Sequence, residues 1–181
     1  MSFKKFALAA VFAAATLNAH AAIEIVGGRL IVADTGDVNV TFLGSDAGYT
    51  DVVFFENDGR KLFTGHSTPV GSSINLGSFA RGTELTFRMH VSNTGDNFFT
   101  GPASANPDNL IHAHASLDDN GNAVLGFEDI LGGGDRDYND IQLRVSNVAA
   151  PVPEAETWGL MLAGLGGLGL IARRKKAEKL A

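Results

Sequence analysis

The chain contains no cysteine, so it has no disulfide bond, no thiolate metal site and no cysteine nucleophile. Basic residues are also scarce between Ile23 and Val152, where 17 Asp and Glu residues stand against 7 Arg and Lys residues, a formal charge of −10. A surface this acidic argues against nucleic acid as a partner, because nucleic acid binding needs a basic patch. It is compatible with divalent cations. The region from Ile23 to Val152 has the length of one domain of ordinary size.

The N-terminal residues have the pattern of an export signal. Lys4 and Lys5 precede the apolar stretch Phe6–Leu17, and Ala19 and Ala21 are the small residues that signal peptidase reads. The apolar stretch is too short for a transmembrane helix. We therefore predict a signal peptide over residues 1–21, cleaved after Ala21.

The C-terminal residues form a linker, an apolar run and a basic end. Pro151–Thr157 leads into Trp158–Ala172, which carries no charge, and Arg173 and Arg174 begin the basic end. The run is a little shorter than the ~20 residues of a stable membrane-spanning helix. The cations should stay on the cytoplasmic side, which places the preceding domain outside the cytoplasm. Two interpretations are open on this pattern alone: a plain membrane anchor, or a sorting signal that is removed after export.

The segment Val152–Gly166 with its basic end resembles the PEP-CTERM sorting signal of Gram-negative bacteria, with Ala155 where that signal usually has a second proline. The resemblance implies that residues 151–181 are a sorting signal with a transmembrane helix. It further implies that exosortase, a membrane protease or transpeptidase, cuts near Pro153 and Glu154. The protein would be anchored transiently in the inner membrane and then become extracellular or bound to the cell surface.

The region between these ends reads as strands and turns. Leu85–Val91 alternates apolar and polar residues, and Val52–Phe55 is apolar on both faces, as in a central strand. Clusters of Gly, Asn, Asp and Pro separate such segments. We predict one all-β domain over residues 22–150, a single antiparallel β-sandwich of either jelly-roll or immunoglobulin-like type. The predicted strands are Leu30–Ala33, Val38–Phe42, Val52–Phe55, Arg60–Phe63, Ile74–Phe79, Leu85–Val91, Asn109–Leu117, Ala123–Phe127 and Ile141–Val145.

Side chains that could bind a metal ion are most concentrated in Gly126–Asp140, which combines carboxylates with three consecutive glycines. Two carboxylates a few ångströms apart repel each other by about 1–4 kcal/mol, and a bound cation removes that cost. Hard oxygen donors favour Ca²⁺ over zinc or copper. The candidate metal ligands are Glu128, Asp129, Asp135, Asp137, Asn139 and Asp140.

This loop is not an EF-hand. Asp135, Asp137 and Asn139 begin like one, but Asp140 stands where that loop needs glycine and Ser146 where it needs a bidentate glutamate. The alternative interpretation is a solvated turn whose charge is partly neutralised by Arg136. Spacing alone leaves the cation site and the turn open.

Two short motifs, Phe127-Glu128-Asp129 and Asp137-Tyr138-Asn139-Asp140, resemble the hallmark of a bacterial domain of unknown function, DUF4114, found in PEP-CTERM proteins and some large adhesins. Upstream similarity, including Gly44–Thr50, extends the resemblance over Val38–Val145. It implies an extracellular β-sandwich with suspected calcium binding and no established activity.

Other sites are less well supported by the pattern. Glu128 or Asp129 could pair with Asp137 in a glycosidase, but the only tryptophan lies in the tail, so no sugar platform accompanies them. His112 and His114, with His90, could begin a zinc site, or they could simply lie on a solvent face. We predict that the protein is not an enzyme.

The expected function is that of a non-enzymatic, exported surface or extracellular-matrix protein with a Ca²⁺-binding loop. Its association with exopolysaccharide or biofilm is what the PEP-CTERM resemblance implies. The alternative is a Ca²⁺-dependent carbohydrate-binding or adhesion module. Expected partners are signal peptidase, exosortase and exopolysaccharide or another surface glycan.

Overall fold

The computed structural model describes residues 22–151. The predicted signal peptide and sorting helix lie outside the described residues, as do the processing residues Ala19, Ala21, Pro153, Glu154, Arg173 and Arg174. No helix in the described part of the chain is long and apolar enough to cross a membrane. The limits of the predicted domain, 22–150, stay a prediction.

The described chain is all-β, as predicted. Its strands are β1 Ile23–Val26, β2 Leu30–Val32, β3 Gly36–Gly44, β4 Asp51–Phe55, β5 Arg60–Thr64, β6 Ser73–Phe79, β7 Glu84–Leu85, β8 Phe87–Val91, β9 Asn97–Phe99, β10 Ala113–Leu117, β11 Ala123–Phe127, β12 Ile141–Val145 and β13 Val148–Ala149. A short 3₁₀ helix, Ala103–Ala105, follows β9.

These strands form three antiparallel sheets. The largest has the order β1-β10-β11-β12-β3-β6, a four-stranded sheet has the order β5-β4-β8-β9, and a three-stranded sheet has the order β13-β2-β7. Consecutive strands β10, β11 and β12 pair as hairpins, whereas β12 pairs with the distant strand β3. The six-stranded sheet therefore contains strands from both the N-terminal and the C-terminal part of the described chain.

The alternating segment Leu85–Val91 buries its apolar face as predicted, with Phe87 and Met89 fully buried. It is not one strand, however. The backbone N–H of Thr86 donates to Asn57 Oδ1 at 2.9 Å, which interrupts the strand ladder. Its first part, β7, therefore pairs with β2, while β8 pairs with β4 in another sheet.

The predicted strand Asn109–Leu117 begins only at Ala113. Asn109 has a φ of 58°, a left-handed conformation that ends extended structure. The buried Asn106 side chain holds this loop, since it accepts the N–H of Phe99 and donates to the carbonyl of Leu110, both at 2.8 Å. The short strands β1, β9 and β13 were not predicted, because two to four residues give too little periodicity.

The buried core contains residues of all three sheets. Phe42 of β3 packs on Phe63 of β5 with ring centroids 5.7 Å apart, and Phe55 of β4 packs edge-on against Phe79 of β6 at 5.8 Å. Such aromatic contacts join the sheets through apolar burial, without a covalent cross-link. The segment that leads into β4 also meets the residues before β12, since the N–H of Asp46 donates to the carbonyl oxygen of Asn139 at 3.2 Å.

Replacing Phe87 by alanine tests this core. Phe87 is fully buried and its ring lies 5.5 Å from that of Phe55, so Phe87→Ala should lower the free energy of unfolding by about 3–5 kcal/mol. Denaturant unfolding followed by circular dichroism measures this change. The control Val70→Ala alters a side chain that is 71% exposed and should change the free energy by less than about 0.5 kcal/mol. Equal losses in both variants would contradict the assignment of the core.

Candidate metal centre

The acidic loop, Glu128–Asp140, connects the paired strands β11 and β12. Phe127 and Ile141 face each other in the register of the two strands, so the loop leaves and re-enters the sheet at the same place. Glu128 and Asp129 at its start and Asp140 at its end are therefore close in space as well as being held by rigid strands.

The loop backbone turns tightly around the Glu128 side chain. Gly134 has a φ of 50°, and a Cβ atom at this position would collide with Glu128 Oε2. A Cβ atom at Gly126 would likewise collide with the carbonyl oxygen of Tyr138. Arg136 and Tyr138 also adopt left-handed conformations, which cost about 1–3 kcal/mol each for residues other than glycine. Tertiary contacts must hold this loop in place.

Three carboxylates of the loop converge on one point. Glu128, Asp135 and Asp137 each offer an oxygen, and these oxygens lie within 4.8 Å of one another. Glu128 is buried, whereas Asp135 and Asp137 are exposed, so this acidic triad has an inner and an outer side. Glu128 Oε1 accepts the N–H of Tyr138 at 2.6 Å, which fixes the orientation of the inner carboxylate. Burial, opposed by this hydrogen bond, raises the pKa of Glu128.

The remaining predicted ligands lie beside the triad. Asn139 donates from its side chain to Asp137 Oδ2 at 2.5 Å and thus orients one triad member. Asp129 and Asp140 form a separate pair, since the backbone N–H of Asp129 donates to Asp140 Oδ2 at 2.7 Å. The structure therefore divides the six predicted residues into two neighbouring groups. Their assignment as metal ligands stays a prediction.

Asp51 interacts electrostatically with the second group, although it was not among the predicted ligands. It is the first residue of β4, it is fully buried, and both its carboxylate oxygens lack a hydrogen-bond partner. Burial raises the pKa of Asp51 to about 7, with further contributions from the negative charges of Asp129 and Asp140. Burial, then the Asp140 charge, raises the pKa of Asp129 to about 6. A signal was available: an acidic residue heads an otherwise apolar strand.

A buried histidine braces the acidic loop. The His112 ring stacks on Phe98 at a centroid distance of 3.8 Å, its Nδ1 lies 3.0 Å from the carbonyl oxygen of Glu128, and its Nε2 lies 2.9 Å from Asp108 Oδ2. The same Asp108 oxygen accepts the N–H of Gly132 at 2.8 Å. Burial by itself would raise the pKa of Asp108, but hydrogen bonds from Gly132 and His112 outweigh this effect and lower the pKa to about 2. The loop is thus tied at its start and near its middle.

The proposed histidine metal pair is not formed. Both ring nitrogens of His112 are engaged as described, whereas the partly exposed His114 faces Glu24 at 3.5 Å and the ring of Tyr138 at 5.3 Å. His90 lies in a different sheet, with its Nδ1 3.2 Å from Asn97 Oδ1. The expectation that His112 and His114 share a solvent face fails because β10 starts after His112.

The raised pKa values predict how metal-free stability depends on pH. Folded Asp51 keeps its proton up to about pH 7, whereas an unfolded aspartic acid loses it near 3.8. The folded state thus binds more protons in this window, so the free energy of unfolding should fall as the pH rises through it. In excess chelator, the free energy of unfolding of Asp51→Asn should decrease less over this pH range than that of the parent protein. The difference should be on the order of a few kcal/mol.

Denaturant unfolding between about pH 4 and pH 8 measures the effect. The matched control is Asp34→Asn, which alters an exposed aspartate just before the start of β3. Its free energy of unfolding should depend on pH as that of the parent protein does. Parallel curves for the parent protein and Asp51→Asn would contradict the prediction.

Two family models match the chain. Residues 79–147 match a domain of unknown function, DUF4114, and residues 151–176 match the PEP-CTERM protein-sorting motif. Among curated proteins, none matches the chain significantly. The first match includes the whole acidic loop but starts at Phe79, so the predicted upstream similarity at Gly44–Thr50 lies outside it. The sorting motif implies an exported cell-surface protein that exosortase processes. The chain carries a DUF4114 domain and, at its C-terminus, a PEP-CTERM sorting motif.

Proposed function

We propose that this protein is a non-enzymatic component of the bacterial surface or extracellular matrix, associated with exopolysaccharide or biofilm, whose acidic loop binds Ca²⁺. Export and exosortase processing follow from the sorting motif. The observation that carries the calcium proposal is the convergence of Glu128, Asp135 and Asp137. In this proposal the domain is a β-sandwich, supported by the aromatic contacts between its two larger sheets.

The geometry of the triad suits calcium. Ca²⁺ binds oxygen ligands at 2.3–2.6 Å, so two ligands on opposite sides of one ion are about 5 Å apart. Oxygens within 4.8 Å of one another can therefore share one Ca²⁺ ion. Mg²⁺, with ligands at about 2.0–2.1 Å, requires a tighter set. The donors are all carboxylate oxygens, which favours a hard cation over zinc or copper.

The alternative interpretation of the loop as a solvated turn depends on Arg136. Within residues 22–151, the Arg136 guanidinium forms no ion pair with a carboxylate; the ion pairs of this region join other residues. Arg136 instead gives Glu128 a hydrogen bond from its backbone. The repulsion within the triad is thus left without a cationic side chain, which supports a metal ion in that role.

The absence of catalysis is also part of the proposal. Glycosidases place their two carboxyl groups about 5–5.5 Å apart when retaining and about 6.5–9.5 Å apart when inverting. The triad oxygens lie within 4.8 Å of one another, a spacing that one cation can bridge. Glu128 is additionally held by the N–H of Tyr138, so it serves better as a fixed ligand than as a proton donor.

Thermal and denaturant unfolding in Ca²⁺, in Mg²⁺ and in chelator tests the calcium proposal. At a hundredfold excess over the dissociation constant, Ca²⁺ should raise the free energy of unfolding by about 2.7 kcal/mol, because it binds only the folded triad. Asp137→Asn should abolish most of this gain, whereas the control Asp34→Asn should retain it. Identical unfolding in Ca²⁺ and in chelator would favour the turn interpretation instead.

A second candidate is a Ca²⁺-dependent carbohydrate-binding or adhesion module. It is favoured by the exposure of Asp135 and Asp137, because an ion held there would have open coordination positions towards solvent that sugar hydroxyls could fill. The exposed side chains of Ile130 and Leu131, each about half accessible, lie in the same loop and offer apolar contact area.

Glycan binding separates the two candidates. An adhesion module should bind a defined sugar saturably in Ca²⁺, and the binding should be lost in chelator and in Asp137→Asn, because the ion bridges the sugar hydroxyls. A glycan array followed by titration of the best ligand measures this. No binding in Ca²⁺ by a protein that Ca²⁺ stabilises would favour the structural role.

A further inference from the structure

A tyrosine of the acidic loop borders two hollows on the protein surface. Tyr138 lines the larger hollow, of about 210 Å³, together with Leu110, Ile111, Gly133 and Arg136. It also lines the smaller hollow, of about 140 Å³, beside the strands β10, β11 and β12. Both hollows are smaller than the pockets of about 300–1,000 Å³ that hold drug-sized ligands, so each suits a single small ring.

The smaller hollow is lined by side chains that can bind hydroxyl groups. His114 and Ser116 of β10 and Gln142 of β12 line it. These side chains point away from the core, since their neighbours along each strand are buried. Imidazole, hydroxyl and amide groups can each donate and accept hydrogen bonds. Asp137 of the acidic triad also lines this hollow, so an ion held by the triad would lie beside it.

The Tyr138 ring is presented by a tightly held backbone. Tyr138 has a φ of 54°, its N–H donates to Glu128 Oε1 at 2.6 Å, and its carbonyl oxygen lies where Gly126 leaves room by having no Cβ atom. The ring centroid is 5.3 Å from that of His114. A left-handed tyrosine persists only where its surroundings hold it, commonly at a binding site. Residues 22–151 contain no tryptophan, so this fixed tyrosine supplies an aromatic surface on which a sugar ring can stack.

The larger hollow contains a cation that the fold does not use. Within residues 22–151, the Arg136 guanidinium makes no hydrogen bond and no ion pair, whereas Arg29, Arg60 and Arg88 each pair with a carboxylate. A guanidinium binds a carboxylate group through two parallel N–H···O hydrogen bonds. Apolar side chains and Tyr138 line the same hollow. This combination matches a sugar ring that carries a carboxylate.

We propose that the two hollows bind a polysaccharide that contains uronic acid. Arg136 pairs with the carboxylate of one sugar ring, Tyr138 stacks against a ring, and His114 and Gln142 bind hydroxyl groups of the next ring. The proposal rests on the second candidate function, the carbohydrate-binding module, and names the class of its ligand. A Ca²⁺ ion in the triad would lie beside the sugar through Asp137 and would offset the negative charge of the loop, which otherwise repels an anionic chain.

Binding of sugar trimers to the full-length chain, solubilised in detergent with Ca²⁺, tests this site. Titration calorimetry compares the uronates trigalacturonate and trimannuronate with galactotriose, which has no carboxylate. The protein should bind a uronate trimer saturably and galactotriose about tenfold more weakly, because the neutral sugar leaves Arg136 without its charged partner. Equal binding of uronate and neutral trimers would overturn the proposal.

Two variants locate the binding site. Arg136→Asn removes the guanidinium and Tyr138→Asn removes the ring, and asparagine tolerates the left-handed backbone at both positions. Each variant should bind the uronate trimer about tenfold more weakly. The matched control Arg144→Gln removes an exposed cation of β12 that lines neither hollow, and it should bind like the parent protein. Unchanged binding in both asparagine variants would place the sugar elsewhere and overturn the site.

Calcium titration of the same samples separates this proposal from the calcium function. Arg136→Asn and Tyr138→Asn keep the triad carboxylates and the backbone N–H that binds Glu128, so they should bind Ca²⁺ like the parent protein. Asp137→Asn should lose both the ion and the sugar. A parent protein that binds Ca²⁺ but no uronate trimer would overturn the proposal and leave the calcium function. Binding of a uronate trimer without any bound Ca²⁺ would support the hollows and overturn the calcium function.

Discussion

Negative charge without a basic partner is the constraint on which this structure depends. Carboxylates gather at the start of β4, the end of β11 and the start of β12, and the arginine of the acidic loop, Arg136, forms no ion pair with them among residues 22–151. Each close pair costs about 1–4 kcal/mol at moderate effective dielectric, and burial adds to this cost. The raised pKa values of Asp51 and Asp129 are the direct expression of this constraint.

The surrounding fold holds these groups together against their repulsion. The register of β11 and β12 fixes both ends of the loop. Gly126 and Gly134 let the backbone approach where any side chain would collide, and His112 with Asp108 ties the loop to the start of β10. A site held by strands and buried hydrogen bonds loses little entropy when a ligand binds, which favours tight binding of an ion.

A bound ion would also account for how an exported protein without cysteine gains rigidity. Export usually allows disulfides to stabilise small domains, but this chain has none to form. Its two larger sheets are joined by apolar contacts such as Phe42 with Phe63. Binding of the proposed ion would add its own free energy to that of folding.

The sequence by itself determined the strand periodicity, the acidic loop and the sorting motif, since each is encoded in consecutive residues. Alternation in Leu85–Val91 predicted its buried face. Two short motifs predicted the DUF4114 domain and Val152–Gly166 predicted the sorting motif, and the family comparisons match both. Only the tertiary structure decided which carboxylates meet. Asp51 begins a strand of a different sheet from the strand that precedes Asp129, yet the negative charge of Asp129 helps to raise its pKa. His112 leaves the solvent face because Asn109 turns the backbone before β10. Local periodicity carries no information about such contacts, because they depend on how separate strands pack.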